Sequence, residues 1–539
     1  MESSLNIKKN LSQFITKDTA KKAGVTQNIS RNTFAGGDPV ITSIEYDSRD
    51  VKNGSLFFAL PGIHTDGSIY IDDAIKRGAL AVIHENDIKE KKENIIYLKV
   101  KNARYAMSPV SAAFYDYPSR RLLITGVTGT EGKSTTVFLI WQLLTLLGKK
   151  AGFFSTVQQC YGGEIISNSE HQTTPEAPVV QKRLWEMAAA GCEFAVVESS
   201  SHGLSKKTNR LGDVEFACGV LTNVTHEHLE FHGTWEKYRD DKANLFCALD
   251  QFKPHENTLR KISSFTKPFG VVNADDKSAC YFEKATKHKT FKYSSAGKDA
   301  DIILEAIESN AWGNWYTIFI PASNERINLR DKLPGAFNAS NVLAAMLAVS
   351  GLLNIPLNKI APFINKLEPL RGRMTTVDKG QPFEVVVDYA HTPSSFQAIF
   401  PPLRERLNKS GGRIISVFGS AGERDIKKRS EQGKIAADYS DILILTDEDP
   451  RGEKPMDILG EIVKGVFESD NKNFKRDEAL FLIPDRPEAI RKAFSLARKG
   501  DLVLLLGKGH ENSIIYAKET IAFDEINEAK KALGEMGFN

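Results

Sequence analysis

Short apolar runs alternate with longer amphipathic stretches along most of this chain. In its middle, Leu122–Ile124, Phe194–Val197 and Cys218–Leu221 read as buried strands. Helices are predicted over Pro178–Ala190 and from Thr135 through Leu147, the latter closed by Gly148. Towards the C-terminus Val385–Val387, Ile414–Phe418, Ile442–Leu445 and Leu502–Leu506 are strands of the same buried kind. Near the N-terminus Ile41–Tyr46, Ser55–Ala59 and Ala81–His84 are short strands among glycine-rich turns. Apolar strands alternating with helices predict an α/β fold with parallel sheets flanked by helices. Pro118-Ser119-Arg120 interrupts the pattern once, and Leu367–Arg373, with Pro369 and Gly372, interrupts it again. Three domains are therefore expected, over residues 1–118, 119–368 and 369–539, which also suits a chain of 539 residues, too long for one core.

The most informative stretch is Thr125-Gly-Val-Thr-Gly-Thr-Glu-Gly-Lys-Ser-Thr-Thr136, between a predicted strand and a predicted helix. Glycines there let backbone N–H groups point at phosphate oxygens, and the helix N-terminus adds partial positive charge. Lys133 would reach the β- and γ-phosphates and the Ser134 hydroxyl would touch a magnesium ion. The spacing departs from the strict phosphate-loop pattern in one respect: Val127 stands where its first glycine belongs, and Gly126 lies one step earlier. A glycine-rich turn with an incidental lysine is the simpler alternative, and the strand–loop–helix setting weighs against it.

Composition narrows the field. The formal charge is +3 with no long basic block, which gives nucleic-acid binding no electrostatic support. Five scattered cysteines form no C-x-x-C pair, so neither a disulfide framework nor a zinc ribbon is expected. Residues 1–17 lack an apolar signal core, and no run approaches the roughly 20 apolar residues of a membrane span. A cytoplasmic location is the expectation.

Polar clusters follow the predicted strands. Glu198 comes directly after Phe194–Val197, in the same zone as the phosphate loop. A carboxylate at a strand end there is a natural magnesium ligand, or else a solvated glutamate. After Cys218–Leu221, His226, His228 and His232 lie close together, but Glu230 occupies the place that an H-E-x-x-H zinc motif needs for its second histidine. In the last zone Asp388–Pro393, Gly419–Asp425, Asp447–Arg451 and Gly507–Glu511 all sit at predicted strand ends and could line one mouth. Arginine and lysine there would hold carboxylate or phosphate.

These residues together resemble the Mur ligase family, over almost the whole chain. Tyr46-Asp47-Ser48-Arg49, Leu56-Phe57-Phe58-Ala59-Leu60-Pro61-Gly62 and Asp66-Gly67 match its MurE and MurF branches. Thr173-Thr174-Pro175-Glu176, Ser200-Ser201-His202-Gly203-Leu204 and Gly507–Glu511 favour MurE. The resemblance implies a domain for the UDP end of the substrate, a central ATPase domain and a C-terminal Rossmann-like domain. It implies an ATP-dependent amide ligase of peptidoglycan precursor synthesis. ATP phosphorylates the γ-carboxylate of D-glutamate in UDP-N-acetylmuramoyl-L-alanyl-D-glutamate, and the amine of a diamino acid displaces phosphate from the acyl phosphate. Another amide ligase of the superfamily, MurF or a folylpolyglutamate synthase, is the alternative. The cofactors implied are ATP and Mg²⁺, and the partners are the UDP-muramoyl-dipeptide and a free diamino acid. A monomer without nucleic acid or a membrane span is expected.

Matched residue by residue, the resemblance assigns Thr128, Gly129, Thr130, Gly132, Lys133, Ser134 and Thr135 to the ATP phosphates, and Asn338, Asn341, Asp388 and His391 to the rest of the nucleotide. Ser134, Glu198, His228 and Lys242 would support magnesium, Lys242 as the carbamate that the family forms with CO₂. Lys133, Lys242, His228 and Glu198 are thus the implied catalytic set. Ser48 goes with the UDP end; Thr173, Thr174, Ser200 and Arg210 go with the muramoyl-peptide. The incoming amino acid falls to Arg424, Asp449, Pro450, Arg451, Gly507 and Glu511. Glu131, where the family usually has asparagine, and Glu227, where it has aspartate, depart from the pattern. A further departure concerns specificity: members that add meso-diaminopimelate usually carry Asn-Pro-Arg where this chain has Asp449-Pro450-Arg451. An added anion would repel a distal carboxylate and welcome an ammonium, which favours lysine or ornithine, although Arg451 argues the other way.

Overall fold

The computed structural model describes residues 7–27, 37–62, 66–168, 170, 172–225, 229–310, 313–471 and 473–539. The chain forms two compact units, one of Met1–Lys292 with Ala344–Pro356, the other of Tyr293–Leu343 with Leu357–Asn539.

Besides a short antiparallel pairing of Lys9–Asn10 with Val40–Ile41, the first unit carries a small sheet and a larger one. Strands β1 (Ser43–Glu45), β2 (Ser55–Phe58), β3 (Ala79–His84) and β4 (Ile96–Lys99) pair side by side in that order, all parallel. Helix α1 (Ala103–Phe114) covers one face through Met107, Val110 and Phe114, which pack with Leu56, Phe58, Ile83 and Leu98. The larger sheet is built on β5 (Leu123–Thr128), β6 (Ala151–Phe154), β7 (Gln158–Cys160), β8 (Ile166–Ser167), β9 (Phe194–Glu198), β10 (Cys218–Leu221) and β11 (Phe269–Asn273), in the order β8-β7-β6-β9-β5-β10-β11. The five from β6 to β11 in that row are parallel, and β5 lies between β9 and β10.

Three expectations around the loop change length here. The strand expected at Leu122–Ile124 runs on to Thr128. Its Thr-Gly-Val-Thr tail is a poor strand former in isolation, but it pairs on both sides, Gly126 opposite Val197 and Gly219, and tertiary pairing overrides local preference. Gly126 thus belongs to the strand rather than to the loop. A Cβ on it would meet Leu245 Cδ1 at 2.4 Å. Helix α2 runs over Lys133–Leu146 instead of starting at Thr135, with Gly132 as its N-cap at φ +83°. The strand expected at Phe194–Val197 likewise extends one residue, to Glu198.

The second unit carries an antiparallel meander, β12 (Ile302–Asn310), β13 (Gly313–Ile320) and β14 (Glu325–Arg330), and a six-stranded sheet. The latter consists of β15 (Thr375–Thr376), β16 (Glu384–Asp388), β17 (Ile414–Phe418), β18 (Ile442–Leu445), β19 (Leu480–Leu482) and β20 (Leu502–Leu506), ordered β15-β16-β20-β17-β18-β19. Only β15 is antiparallel to its neighbour. The central strands β17, β18 and β20 are mostly apolar, Ser416 apart, because both faces are covered. Ile414, Phe418, Leu443, Leu445, Leu502, Leu504 and Leu506 pack on helices α3 (Pro393–Ser410), α4 (Lys427–Tyr439) and α5 (Pro455–Glu468). Their alternates Ile415, Val417, Ile442, Ile444, Val503 and Leu505 pack on α6 (Arg486–Leu496) and α7 (Glu525–Glu535). Among the described residues no single helix is long and apolar enough to cross a membrane.

One buried ion pair ties this sheet to its loops. Arg486 and Glu525, both fully buried, meet at 2.7 and 2.8 Å, and the guanidinium also donates to the carbonyls of Asp447 and Leu506. Removing one partner strands a buried charge, which costs about 3–5 kcal/mol. Glu525→Ala is therefore expected to speed hydrogen exchange in Leu502–Leu506 and lower the urea midpoint of this unit. Arg486→Met with Glu525→Leu should recover most of that loss, because no buried charge then remains.

Candidate active site

The carboxyl end of β5 is where chemistry gathers in the first unit. The loop Thr128–Gly132 leads from the strand into α2, so the first N–H groups of the helix open into the turn. The loop is held from outside by the segment after β10. Thr130 N–H donates to Asn223 O at 2.9 Å and Glu131 N–H to Asn223 Oδ1 at 2.9 Å. Thr222 Oγ1 and Asn223 Nδ2 donate to Glu131 O at 2.6 and 3.1 Å. Glu131, an awkward charge beside a polyphosphate, is thus fixed through its backbone. Gly129, at φ +154°, cannot carry a side chain: a Cβ would fall 1.8 Å from Thr222 Oγ1. Lys133 Nζ caps the Thr130 carbonyl within the loop at 2.7 Å.

Glu198 and Lys242 meet this loop from neighbouring elements. Glu198 ends β9 and is buried; its Oε1 accepts from Ser134 Oγ at 3.0 Å and its Oε2 from Thr156 N–H at 2.7 Å. Both donors are neutral, and among the described residues Glu198 makes no ion pair. A buried carboxylate beside a hydroxyl is a donor set that suits a hard divalent cation. Lys242, on a helix over Trp235–Leu249, is also buried, and its Nζ donates to Gly129 O at 2.6 Å and lies 4.3 Å from the Tyr238 ring centroid. A lysine on a charged helix looks solvated in sequence; the fold turns it inward onto the phosphate loop. His226, Glu227 and His228 lie outside the described residues. His232 is hydrogen-bonded to Asp241 at 2.8 Å and to Ser201 at 3.0 Å.

A second cluster stands in the same unit. Thr174 Oγ1 donates to Glu198 O at 2.9 Å and accepts from Ser200 N–H and Oγ. Arg210 donates to Thr174 O at 2.8 Å and to Glu176 Oε1 at 2.9 Å; Arg104, from α1, reaches the same oxygen at 2.6 Å. The structure therefore brings Thr174, Ser200 and Arg210 together, with Thr173 half-buried beside them. Ser48 begins a short helical turn capped by Asp47. Burial, and after it the carboxylates of Glu176 and Glu170, push nearby Tyr46 up to about 12.

In the second unit Asn338 and Asn341 are buried at the start of the helix Phe337–Leu353, Asn338 donating to Pro334 O and Asn341 to Asn338 Oδ1. The turns after β16, β17, β18 and β20 converge. Gly507 N–H donates to Asp388 O, Gly422 N–H to Asp449 O at 2.8 Å, and Lys428 Nζ to His391 O at 3.2 Å. Asp388 accepts from Met374 N–H and Ala390 N–H, both at 2.7 Å. Burial raises its pKa, against the charge of Arg373. His510 lies tilted by 54° against Tyr389 at 4.7 Å between centroids, and burial, followed by the Arg373 charge, pulls its pKa down to about 3, which favours the neutral ring. Arg424 is exposed on its turn, and Arg451 holds a left-handed backbone at φ +53° with its N–H on Ile515 O.

The charge reading of Asp449 needs correction. Its Oδ1 is 2.9 Å from Lys508 Nζ and accepts Ile515 N–H at 3.0 Å. Lys508 also holds Glu511 Oε2 at 2.6 Å. Asp449 is therefore not the free anion that its place in the sequence implies, because folding sets a buried lysine against it. Lys508, Tyr389, Arg373 and Tyr516 were missed as site residues. Lys508 and Tyr389 lay within motifs already singled out, but nothing in their spacing shows which carboxylate either one meets.

Known proteins resemble this chain along most of its length. Three family descriptions match in succession: "Mur ligase family, catalytic domain" over residues 40–121, "Mur ligase middle domain" over 127–349 and "Mur ligase, glutamate ligase domain" over 372–509. A UDP-N-acetylmuramyl-tripeptide synthetase of Treponema denticola is 51% identical, covering 93% of this chain and 95% of its own. A 2,6-diaminopimelate-adding UDP-N-acetylmuramoyl-L-alanyl-D-glutamate ligase of Geobacillus kaustophilus is 36% identical over 93% and 96%. A solved ligase of the latter kind superposes with a TM-score of 0.60 at 27% identity, covering 93% and 96% of the two chains.

The loop geometry makes a direct prediction. Gly129→Ala is expected to displace Thr222, open the loop and raise the nucleotide Kd by at least about tenfold, the equivalent of one lost contact. Gly148→Ala is the control, since a Cβ there meets nothing within 4 Å at φ +75°. It should cost about 1 kcal/mol of stability and leave the Kd unchanged. Titration with a fluorescent ATP analogue reads both.

Proposed function

The chain belongs to the Mur ligase family, and from that premise we propose that it adds lysine or ornithine as the third residue to UDP-N-acetylmuramoyl-L-alanyl-D-glutamate. It is an ATP-dependent amide ligase, and tripeptide-synthetase relatives at 51% and 47% identity support the third-residue step. Their names leave the amino acid open, and the diaminopimelate-adding relatives are more distant in sequence. We assign residues 1–118 to the UDP end, 119–368 to ATP and 369–539 to the amino acid.

The observation that carries the reading is the placement of Ser134, Glu198 and Lys242 around one phosphate loop. In this reading the loop N–H groups, Lys133 and Thr128–Thr135 hold the ATP phosphates in line with the glutamate γ-carboxylate. Orientation and charge neutralisation are what phosphoryl transfer requires. Mg²⁺, implied by the family, would be held by Ser134, Glu198 and His228 and would neutralise phosphate charge. The Lys242 ammonium would lose two protons as its amine takes up CO₂, one from the ammonium and one as the N–C bond forms, and the resulting carbamate anion would support that cation. Thr173, Thr174, Ser200 and Arg210 hold the muramoyl-peptide, with Ser48 at the UDP end. Asn338, Asn341, Asp388 and His391 are assigned to the rest of the nucleotide. Arg424 pairs with the α-carboxylate of the incoming amino acid, whose free amine attacks the acyl phosphate and expels phosphate.

Incubation with ATP, the UDP-dipeptide and a panel of L-lysine, L-ornithine and meso-diaminopimelate tests the reaction. The expected products are ADP, phosphate and a UDP-tripeptide, formed fastest with lysine or ornithine. No tripeptide with any of the three would sink the ligase assignment; preference for meso-diaminopimelate would sink the choice of amino acid. Lys242→Ala is expected to lower kcat by at least about a hundredfold and to be partly rescued by a short carboxylate such as acetate. An active wild-type enzyme whose mass in bicarbonate buffer shows unmodified Lys242 would refute the carbamate.

A further inference from the structure

The turn that reads the incoming amino acid carries Glu448, Asp449 and, across from them, Glu511: an acidic set that by charge alone would attract any cation. The cation already there is internal. Lys508 Nζ is buried between Asp449 Oδ1 at 2.9 Å and Glu511 Oε2 at 2.6 Å. Burial alone would pull its pKa down, but Glu511 and Asp449 outweigh that and hold it above the ordinary lysine range. Glu511 Oε1 accepts from Tyr389 OH at 3.3 Å, and Asp449 Oδ1 accepts from the Ile515 backbone. Glu448 differs from both. It is 6% exposed, and its Oε2 is a buried acceptor with no hydrogen-bond partner. It looks over Gly507, where a Cβ would come within 3.0 Å of that oxygen. A buried carboxylate oxygen without a donor is costly unless a cationic ligand satisfies it.

We propose that Lys508 is a specificity-determining counter-ion: it cancels the charge of Asp449 and leaves Glu448 as the carboxylate that receives the distal ammonium of the amino acid. The inference rests on the ligase reading above. The position before Pro450 is then read through its balance with Lys508 rather than by direct contact with substrate. Lys508 is a positioning residue, acting through the electrostatics of the pocket.

Define R as the ratio of kcat/KM for lysine or ornithine to that for meso-diaminopimelate, and measure it with the full chain. Lysine and ornithine end in an ammonium alone, whereas meso-diaminopimelate adds a distal carboxylate, so R rises as the pocket becomes more negative. Lys508→Met removes a positive charge and should raise R about tenfold, whereas Asp449→Asn uncovers Lys508 and should lower R by a similar factor. Carrying both changes, the enzyme should return to within about threefold of wild-type R. Glu448→Gln should lower R on its own. KM for ATP should stay at the wild-type value throughout, separating this effect from misfolding. If Lys508→Met does not fold, Asp449→Asn and the double variant still decide the matter. R unmoved by Asp449→Asn overturns the proposal. So does a double variant that keeps the full fall in R, because Asp449 would then touch the ammonium directly. Failure of the wild-type enzyme to ligate any of the three amino acids would instead be failure of the ligase reading itself.

Discussion

A parallel sheet covered by helices on both faces leaves polar side chains little room except at the carboxyl ends of its strands. That constraint organises both large sheets of this protein. In the first unit β5, β9 and β10 end in Thr128, Glu198 and Leu221, each followed at once by polar loop residues. In the second, β16, β17, β18 and β20 are followed by the turns that carry Tyr389, Arg424, Asp449 and Lys508. The strands are buried hydrocarbon, and the chemistry is what they push out at one end.

Polar groups forced together at such edges need internal partners. The phosphate loop is held by the amide of Asn223, the hydroxyl of Thr222 and the ammonium of Lys242, so its shape is set by two segments outside it. The second unit follows the same rule with full charges. Arg486 is matched by Glu525, Arg429 by Glu453 and Glu461, and Lys508 by Asp449 and Glu511. Each cation is buried, so its geometry is rigid. Such pairs add little net stability beyond what an apolar core would give, but they fix where the remaining charge lies.

Much of the fold was legible in the apolar pattern. Cys218–Leu221, Ile414–Phe418, Ile442–Leu445 and Leu502–Leu506 are strands with the bounds their sequence predicts, because a strand buried on both faces must be continuously apolar. The phosphate loop was legible as well, since only glycine suits Gly129 and Gly132 and only a helix start suits the residues after them. What sequence misjudged were edges decided by pairing. The tail of β5 reads as loop because glycine and threonine dilute its signal, and only its two neighbours make it a strand.

Residue type and local spacing determined which groups could act: Lys133 and Ser134 by motif, Glu198 by its place after a strand, and the acidic turn Asp447–Arg451 by composition. Tertiary structure alone decided which of those charges are already neutralised. Lys508 is 59 residues from Asp449 in the chain, and Lys242 is 113 from Gly129. No local pattern links such pairs, because their contacts arise from adjacent strands and helices that meet only when the sheet is assembled. Local pattern alone leaves Asp449 a free anion and would leave Lys242 a solvated lysine on a charged helix, were it not for the family resemblance. Burial reversed both readings, since a charge removed from water must find a partner.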